Sequence, residues 1–370
     1  MNIAIVTSAT GSQRRHILAA ARELGHSHQV TIYSRRISAE GGARSRPAAG
    51  VVVEQIEAGP ARDLSSDDVL PYLGDVSRYL SKRWARERPD VIHAHSWTAG
   101  LAAAAGADGL GVPVTQTLQV PGHGPMKVER ALGRRAAAVI AGSGDEEAAL
   151  IRLGVPREHI AVVPQGVDVT RFTRHGAAAS RGKRQRLLHV GPLTPDRGAH
   201  TVVRALPALP GVELLVAGGP QAAGLANDRE ARRLRALASQ LGVGDRVRLL
   251  GQVPRASVPK LMRSADAVVT VPREAPSGIV ALEAMACGVP VIASAVGAHL
   301  DSVVDGVTGL LVPPDRPART AHLARDLLAD TTLRTALGYA AADRARSRYS
   351  WERIGQELLR VYEEVLPVHA

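Results

Sequence analysis

Short apolar, largely β-branched runs alternate with longer helical patterns along almost the whole chain, and no feature limits its fold more. The alternation comes in two series. The first reads "NIAIVTS" then "QRRHILAAARELG", "HQVTIYS", "DVIHAHS" then "WTAGLAAAAGADG", "VPVTQTL", and "AAAVIAGS" then "GDEEAALIRLG". The second reads "RLLHVGP", "GAHTVVRALPAL", "VELLVAGG", "EARRLRALASQLG", "RVRLLGQV", "SVPKLMRSA", "DAVVTVP", "GIVALEAMACG" and "VPVIASA". Such alternation predicts parallel sheets covered by helices. Between the series lies "TRHGAAASRGKRQR", whose Gly, Ala and basic content reads as a linker. The expected class is therefore α/β, with two doubly wound Rossmann-like domains facing a central cleft. Residues 1–172 form the first, 173–186 the linker and 187–350 the second. A C-terminal helix at 351–370, apolar at helical spacing, joins the first. A chain of 370 residues has the length for two such cores.

Composition narrows the function classes. Hydrophobic residues at 45% and charged residues at 22% are globular values. One cysteine, Cys287, leaves no disulfide framework and no thiolate metal cluster, and points to a reducing cytoplasm. The opening "MNIAIVTSAT" lacks the basic segment and the apolar run of about 7 to 15 residues of an export signal. No apolar run approaches the roughly 20 residues of a membrane span. The net charge of +11 suits nucleic acid, an anionic membrane or an anionic small substrate. Dispersed basic residues, 3% aromatics and no zinc-finger or RNP-type pattern argue against nucleic acid. The basic segment "DVSRYLSKRWARERP" reads either as a helix lying on an anionic membrane or as a solvated helix face, and its narrow apolar stripe favours the second.

In doubly wound sheets ligands sit beyond the carboxyl ends of the strands, so the loops there carry the candidate chemistry. The most informative is "PREAPSGIVALEAMACGVPVIAS". Gly278 opens a helix whose first amides, at Gly278, Ile279 and Val280, lack intrahelical acceptors and suit a phosphate. Ser277 reads equally as a simple helix cap. Glu283, one to two turns in, suits ribose or sugar hydroxyls, and its apolar neighbours make a solvated surface acid the poorer reading. Glu274 lies just outside. In "VGPLTPDRG" the cation Arg197 precedes a helix and fits a diphosphate as the bidentate choice, or is merely solvated. "IHAHSW" places His93 and His95 on one side of a strand end, where His95 or Ser96 could bond an acceptor or both histidines could be satisfied core residues. A metal finds no third ligand of matching pattern there, and no Asp-x-Asp occurs in the chain. "TSATGSQRRH" turns through Gly11 without the full Gly-x-Gly-x-x-Gly, which does not support a nicotinamide cofactor.

At this point the chain resembles the retaining GT-B glycosyltransferases of family 4, a group that includes the mycothiol-pathway glycosyltransferases. The stretches "PDVIHAHSW", "AVIAGSGDEEAALIRLGV", "IAVVPQGVDVTRF", "GPLTPDRGAHTVVRAL", "RVRLLGQVPRASVPKLMRSADAVV", "GIVALEAMACGVPVIASAVG" and "RYSWERI" occur in the family's order over nearly the full length. The resemblance implies metal-free transfer of a sugar from a nucleotide diphosphate sugar, UDP before GDP, with retention of configuration. No further cofactor is expected. It places the diphosphate on Ser277 and on Gly278 to Val280, the ribose on Glu283 and the base on the backbone of Val253. Gly11, Ser12 and Gly218 complete the donor set, and His95, Ser96 and Lys127 form the acceptor side. Catalytic roles fall to Arg197, Glu283, Gln119 and Glu274.

Four positions depart from the family pattern. The first acid of its Glu-Pro-Phe-Gly falls on Ala275, with Glu274 one residue out of step. The arginine of its Gly-Arg-Leu is Pro192, which leaves Arg197 as the expected side-chain cation near the diphosphate. A histidine position is Gln119, and the second glycine of the N-terminal loop is Ser12. These changes fit a specialised branch or an impaired nucleotide-binding GT-B protein. A GT-B sugar-nucleotide epimerase is a further alternative. The Ala-, Arg- and Gly-rich composition resembles that of high-GC actinobacterial proteins, for which a small polar acceptor in antibiotic biosynthesis is the expectation.

Overall fold

The computed structural model describes residues 1–40, 42–118 and 124–367, and of Ser12 only the backbone. The chain divides into two units, Met1–Pro164 with Trp351–Ala370, and Gln165–Ser350.

The first unit opens with β1 (Asn2–Thr7), α1 (Gly11–Leu24), β2 (Gln29–Arg35), β3 (Arg44–Ala48) and β4 (Val51–Ile56). It continues through α2 (Leu73–Arg86), β5 (Val91–His95), α3 (Trp97–Gly106), β6 (Val114–Thr117), α4 (Met126–Arg135), β7 (Ala138–Ala141), α5 (Gly144–Leu153) and β8 (Ile160–Val162). Its sheet order is β3-β4-β2-β1-β5-β6-β7-β8, parallel except for the edge strand β3. The central strands carry unbroken apolar runs because helices cover both faces: all but the first residue of β1 are buried. On α2 the residues Val76, Leu80 and Trp84, four apart, are buried, and Trp84 meets Tyr33 edge-on at 5.9 Å. The residues Val76, Leu80 and Trp84 of the basic segment's apolar stripe are thus part of the unit's core. Helix α5 shows the local logic of a helix: Ser143 caps it by accepting from the Glu146 N–H at 3.2 Å, acids fill its first turn, and Gly154 ends it in the left-handed conformation.

The second unit contains β9 (Gln185–Val190), α6 (Ala199–Ala205), β10 (Val212–Ala217), α7 (Arg229–Gln240), β11 (Val247–Gly251), α8 (Val258–Arg263), β12 (Ala267–Thr270), α9 (Ile279–Ala286) and β13 (Val291–Ser294). It closes with α10 (Ala298–Ser302), β14 (Leu310–Val312), α11 (Pro317–Ala329) and α12 (Thr331–Tyr349). The order β11-β10-β9-β12-β13-β14 is a doubly wound parallel sheet whose order reverses between β9 and β12. The last helix, α13 (Trp351–Val365), returns to the first unit, where Ile354, Leu358, Val361 and Tyr362 are buried beside β1 and α1.

The division at Pro164 differs from the expected boundary at 172. Residues 165–186 are bound to the second unit: the Val167 N–H donates to Tyr349 O at 2.7 Å, and Phe172 lies in the core with α9. The expected linker is strapped down as well. Arg263 donates to the carbonyls of Thr173 and Ala177 at 3.0 Å, and Ala179 N–H to Lys260 O at 2.9 Å. The Gly/Ala-rich composition read as a linker between domains, and these backbone groups have partners in the second unit.

Candidate active site

In the second unit the reversal between β9 and β12 gathers the glycine-rich strand ends. Gly218 has φ of 144°, and a side chain there would strike Gly191 O in the loop after β9. The β9–α6 loop is also pressed on the end of β12: Arg273 N–H donates to Asp196 O at 2.9 Å. The loop leading to α9 is latched from the far side by the Ala298 N–H, which donates to Ala275 O at 2.8 Å. Gly278, at φ 56°, is the N-cap residue of α9, and no side chain caps that end. Ser277 is therefore not the cap, and the first amides of α9 carry the unsatisfied donors general to helix starts. Val253, on the loop after β11, is half-buried.

Glu283 lies on α9 and is 0% exposed. Both carboxylate oxygens are held by Arg255: Nη1 donates to Oε2 at 2.9 Å and Nη2 donates to Oε1. The guanidinium also lies 4.7 Å over the ring of Phe172, the chain's one phenylalanine. Two residues after Val253, Arg255 had no part in the sequence-based site.

Arg197, expected as the cation near the diphosphate, has other arginines on the neighbouring loops. Arg197 Nε lies 3.1 Å from Asp196 Oδ2, and Arg273, on the next loop, donates from Nε to Asp315 Oδ2 at 2.7 Å. A hydrogen bond from Thr194 holds the Asp196 carboxyl below its ordinary range, with the charges of Arg197 and Arg273 adding to it. Arg197, Arg255, Arg273 and Arg316 thus stand on the loops of this end of the sheet. Glu274 is exposed, whereas Ala275 beside it is buried.

In the first unit the sheet order reverses between β1 and β5. There Ser8 Oγ is 3.0 Å from Ser96 Oγ and 3.3 Å from Thr98 Oγ1, and Ser96 Oγ is 3.1 Å from Thr98 Oγ1. Ser96 caps α3 through the Ala99 N–H at 3.3 Å and has φ 95°, ψ 159°, a region that L side chains rarely adopt. His95 stacks on His93 with centroids 4.0 Å apart, and burial holds its pKa well below 6.5. His93 is a satisfied core residue: Nδ1 is 2.7 Å from Tyr362 Oη and Nε2 is 2.9 Å from Thr117 Oγ1. Gly11 has φ 56° and open space where a side chain would stand, and Lys127 is exposed in the first turn of α4. Gln119 and the side chain of Ser12 lie outside the described residues.

The Glycosyltransferase Family 4 description matches residues 13–171, and the Glycosyl transferases group 1 description matches residues 171–344. A D-inositol 3-phosphate glycosyltransferase of Actinosynnema mirum is 32% identical, covering 100% of this chain and 93% of the relative. One of Frankia alni is 30% identical, covering 97% and 96%. The chain belongs to the GT-B glycosyltransferases. Solved structures agree on the fold of this glycosyltransferase. The sucrose-phosphate synthase of Thermosynechococcus elongatus superposes with TM-score 0.85 at 24% identity over 99% of both chains. Anabaena HepE in complex with UDP gives 0.79 at 22% identity, covering 98% of this chain and 100% of its own.

Among the residues that had no role in the sequence-based site, Arg255 and Arg273 differ from Ser8 and Thr98. Ser8 follows β1 and Thr98 lies in the first turn of α3, so the position beyond the strands β1 and β5 could have marked them. The arginines are identified only by their partners across the fold. No helix of the described residues is long and apolar enough to cross a membrane.

Proposed function

We propose that this glycosyltransferase moves a sugar from a nucleoside diphosphate sugar, UDP before GDP, to a small polar acceptor, retaining the anomeric configuration and using no metal. The observation that carries the reading is the pairing, at one strand-order reversal, of an uncapped glycine-led helix start with a buried carboxylate further along the same helix. The diphosphate takes the amides of Gly278 to Val280, the ribose takes Glu283, and the base takes the backbone at Val253. Arg197 stabilises the charge that grows on the departing diphosphate, whose oxygen accepts the acceptor's proton on the same face. This chemistry asks for no strong protein base, and His95, neutral through burial, is left to orient by hydrogen bonding.

The solved HepE complexes with UDP and UDP-glucose support the choice of donor. The relatives named for D-inositol 3-phosphate support a polyol-like acceptor. The Ser8, Ser96 and Thr98 hydroxyls, with Lys127, offer such an acceptor hydrogen bonds and one cation. The lack of any Asp-x-Asp pair supports a metal-free route. The likeness of the Ala-, Arg- and Gly-rich composition to that of high-GC actinobacterial proteins supports an acceptor in antibiotic biosynthesis.

The test is incubation with UDP- and GDP-sugars and a panel of cyclitols, glycosides and thiols, with EDTA, followed by mass spectrometry and by NMR of the product anomer. The expected result is nucleoside diphosphate release together with a conjugate of unchanged anomeric configuration. Turnover that stops in EDTA and returns with manganese contradicts the metal-free route. Binding without release indicates the impaired site, and an isomerised sugar indicates the epimerase.

A further inference from the structure

The Arg255–Glu283 pair joins an exposed side chain to a buried one. Glu283 is fully buried, whereas the Arg255 side chain that covers it is 44% exposed, so the guanidinium stands between the carboxylate and solvent. The pairing is a two-pronged fork, one terminal nitrogen on each oxygen. Such a fork occupies the two lone pairs that point side by side, and the remaining pair diverge. A cis vicinal diol also presents its two O–H groups side by side and needs the same two lone pairs. The fork and the diol therefore exclude one another.

We propose that Arg255 is a latch on the donor site: it closes on Glu283 in the unliganded enzyme, and the ribose diol of the nucleotide displaces it. This rests on the reading of Glu283 as the ribose ligand. The displaced guanidinium has a second partner already in place, the Phe172 ring at 4.7 Å. Arg255 also follows Val253 on the same loop, so seating a base on that backbone and releasing the arginine involve one segment. The consequence is a specificity for the diol that the wild-type enzyme masks, because every hydrogen bond from the ribose to Glu283 replaces one from the arginine.

Calorimetry with UDP and with 2′,3′-dideoxyuridine diphosphate, on the wild type and on Arg255→Ala, tests this through the ratio of the two affinities. The analogue has no diol and need not open the latch. The expected result is that Arg255→Ala tightens UDP about tenfold, equivalent to 1.4 kcal/mol, and leaves the analogue unchanged. Arg255→Lys, which keeps the charge without the fork, should fall between and guards against a folding defect in the alanine variant. A preference for UDP that is large and equal in wild type and variants overturns the latch while the ribose reading stands. No preference in any of them overturns both. Weaker binding of both nucleotides to Arg255→Ala also overturns the latch, since it makes Arg255 a direct ligand of the donor.

Discussion

Arg197 stands in a short turn, Pro195–Arg197, whose place is set by the contact of Asp196 O with the Arg273 N–H at the start of the loop to Gly278. The charge of Arg273 is matched by Asp315 at 2.7 Å and that of Arg255 by Glu283, while among the described residues Arg197 is paired with its chain neighbour Asp196. Arg197 is thus the arginine whose charge is the least committed of the three. Negative charge on a leaving diphosphate rises in the transition state, so a cation there stabilises that state more than the bound donor. Arg197→Ala should cut kcat about a hundredfold to a thousandfold, with a smaller rise in the donor KM, and Arg197→Lys should recover part of the loss. Steady-state kinetics decide it. If the alanine variant keeps more than about a third of kcat, far outside that range, the stabilisation belongs to the amides of Gly278 to Val280.

At the scale of elements, His93 joins three pieces of the first unit. It lies on β5, and its two ring nitrogens reach Tyr362 on α13 and Thr117 at the end of β6. The C-terminal helix is therefore held by a buried polar link as well as by its apolar face. Tyr362→Phe leaves His93 Nδ1 without that partner and should cost about 1 to 3 kcal/mol, read as a lowered urea midpoint. A midpoint unchanged within error would show that apolar packing alone seats α13. The rhythm of the sequence was sufficient for α13 and for the central strands, because buried parallel strands are continuous apolar runs. It was not sufficient for β3, whose residues are mostly exposed at a sheet edge. Nor was it sufficient for α12, which packs Gly338, Ala341, Ala342 and Ala345 and so shows small residues where a periodicity search seeks large ones. The site divides in the same way. Gly278 and Glu283 share one helix start and were legible together. The Arg255–Glu283 and Arg273–Asp315 pairs span 28 and 42 residues, and Ser8–Thr98 spans 90, so only the folded chain brings them together.

At the scale of the whole molecule, both units bury histidines that cannot easily take a proton. Burial lowers His16 to about 4 and His93 to about 3 in the first unit, with the neighbouring His16 adding to the effect on His93. In the second unit burial lowers His189 and His299 each to about 4, against hydrogen bonds from their rings to Val269 O and Ser294 O that act the other way. In the unfolded chain each titrates near 6.5. Between these values the unfolded state binds more protons than the folded one, so stability rises with pH across the window from about 3 to 6.5 and is level above it. Each such histidine contributes a slope of up to about 1.4 kcal/mol per pH unit. The lowered carboxylates Asp168, Asp196 and Asp315 lose their contributions only below 3.8 and so stay out of the upper part of that window. Glu146, raised above 4.5 by burial, works in the opposite sense but is one group against the several lowered histidines, His95 among them. Thermal melts should give a level Tm from pH 8 to about 7 and a steep fall between 6 and 4, shared by both units because each holds such histidines. His93→Gln should soften that fall without removing it, since His16, His95, His189 and His299 remain. A Tm that stays constant from pH 7 to pH 5 would mean that the imidazoles reach water in the folded state, and the buried link from His93 to Tyr362 would then be open to solvent.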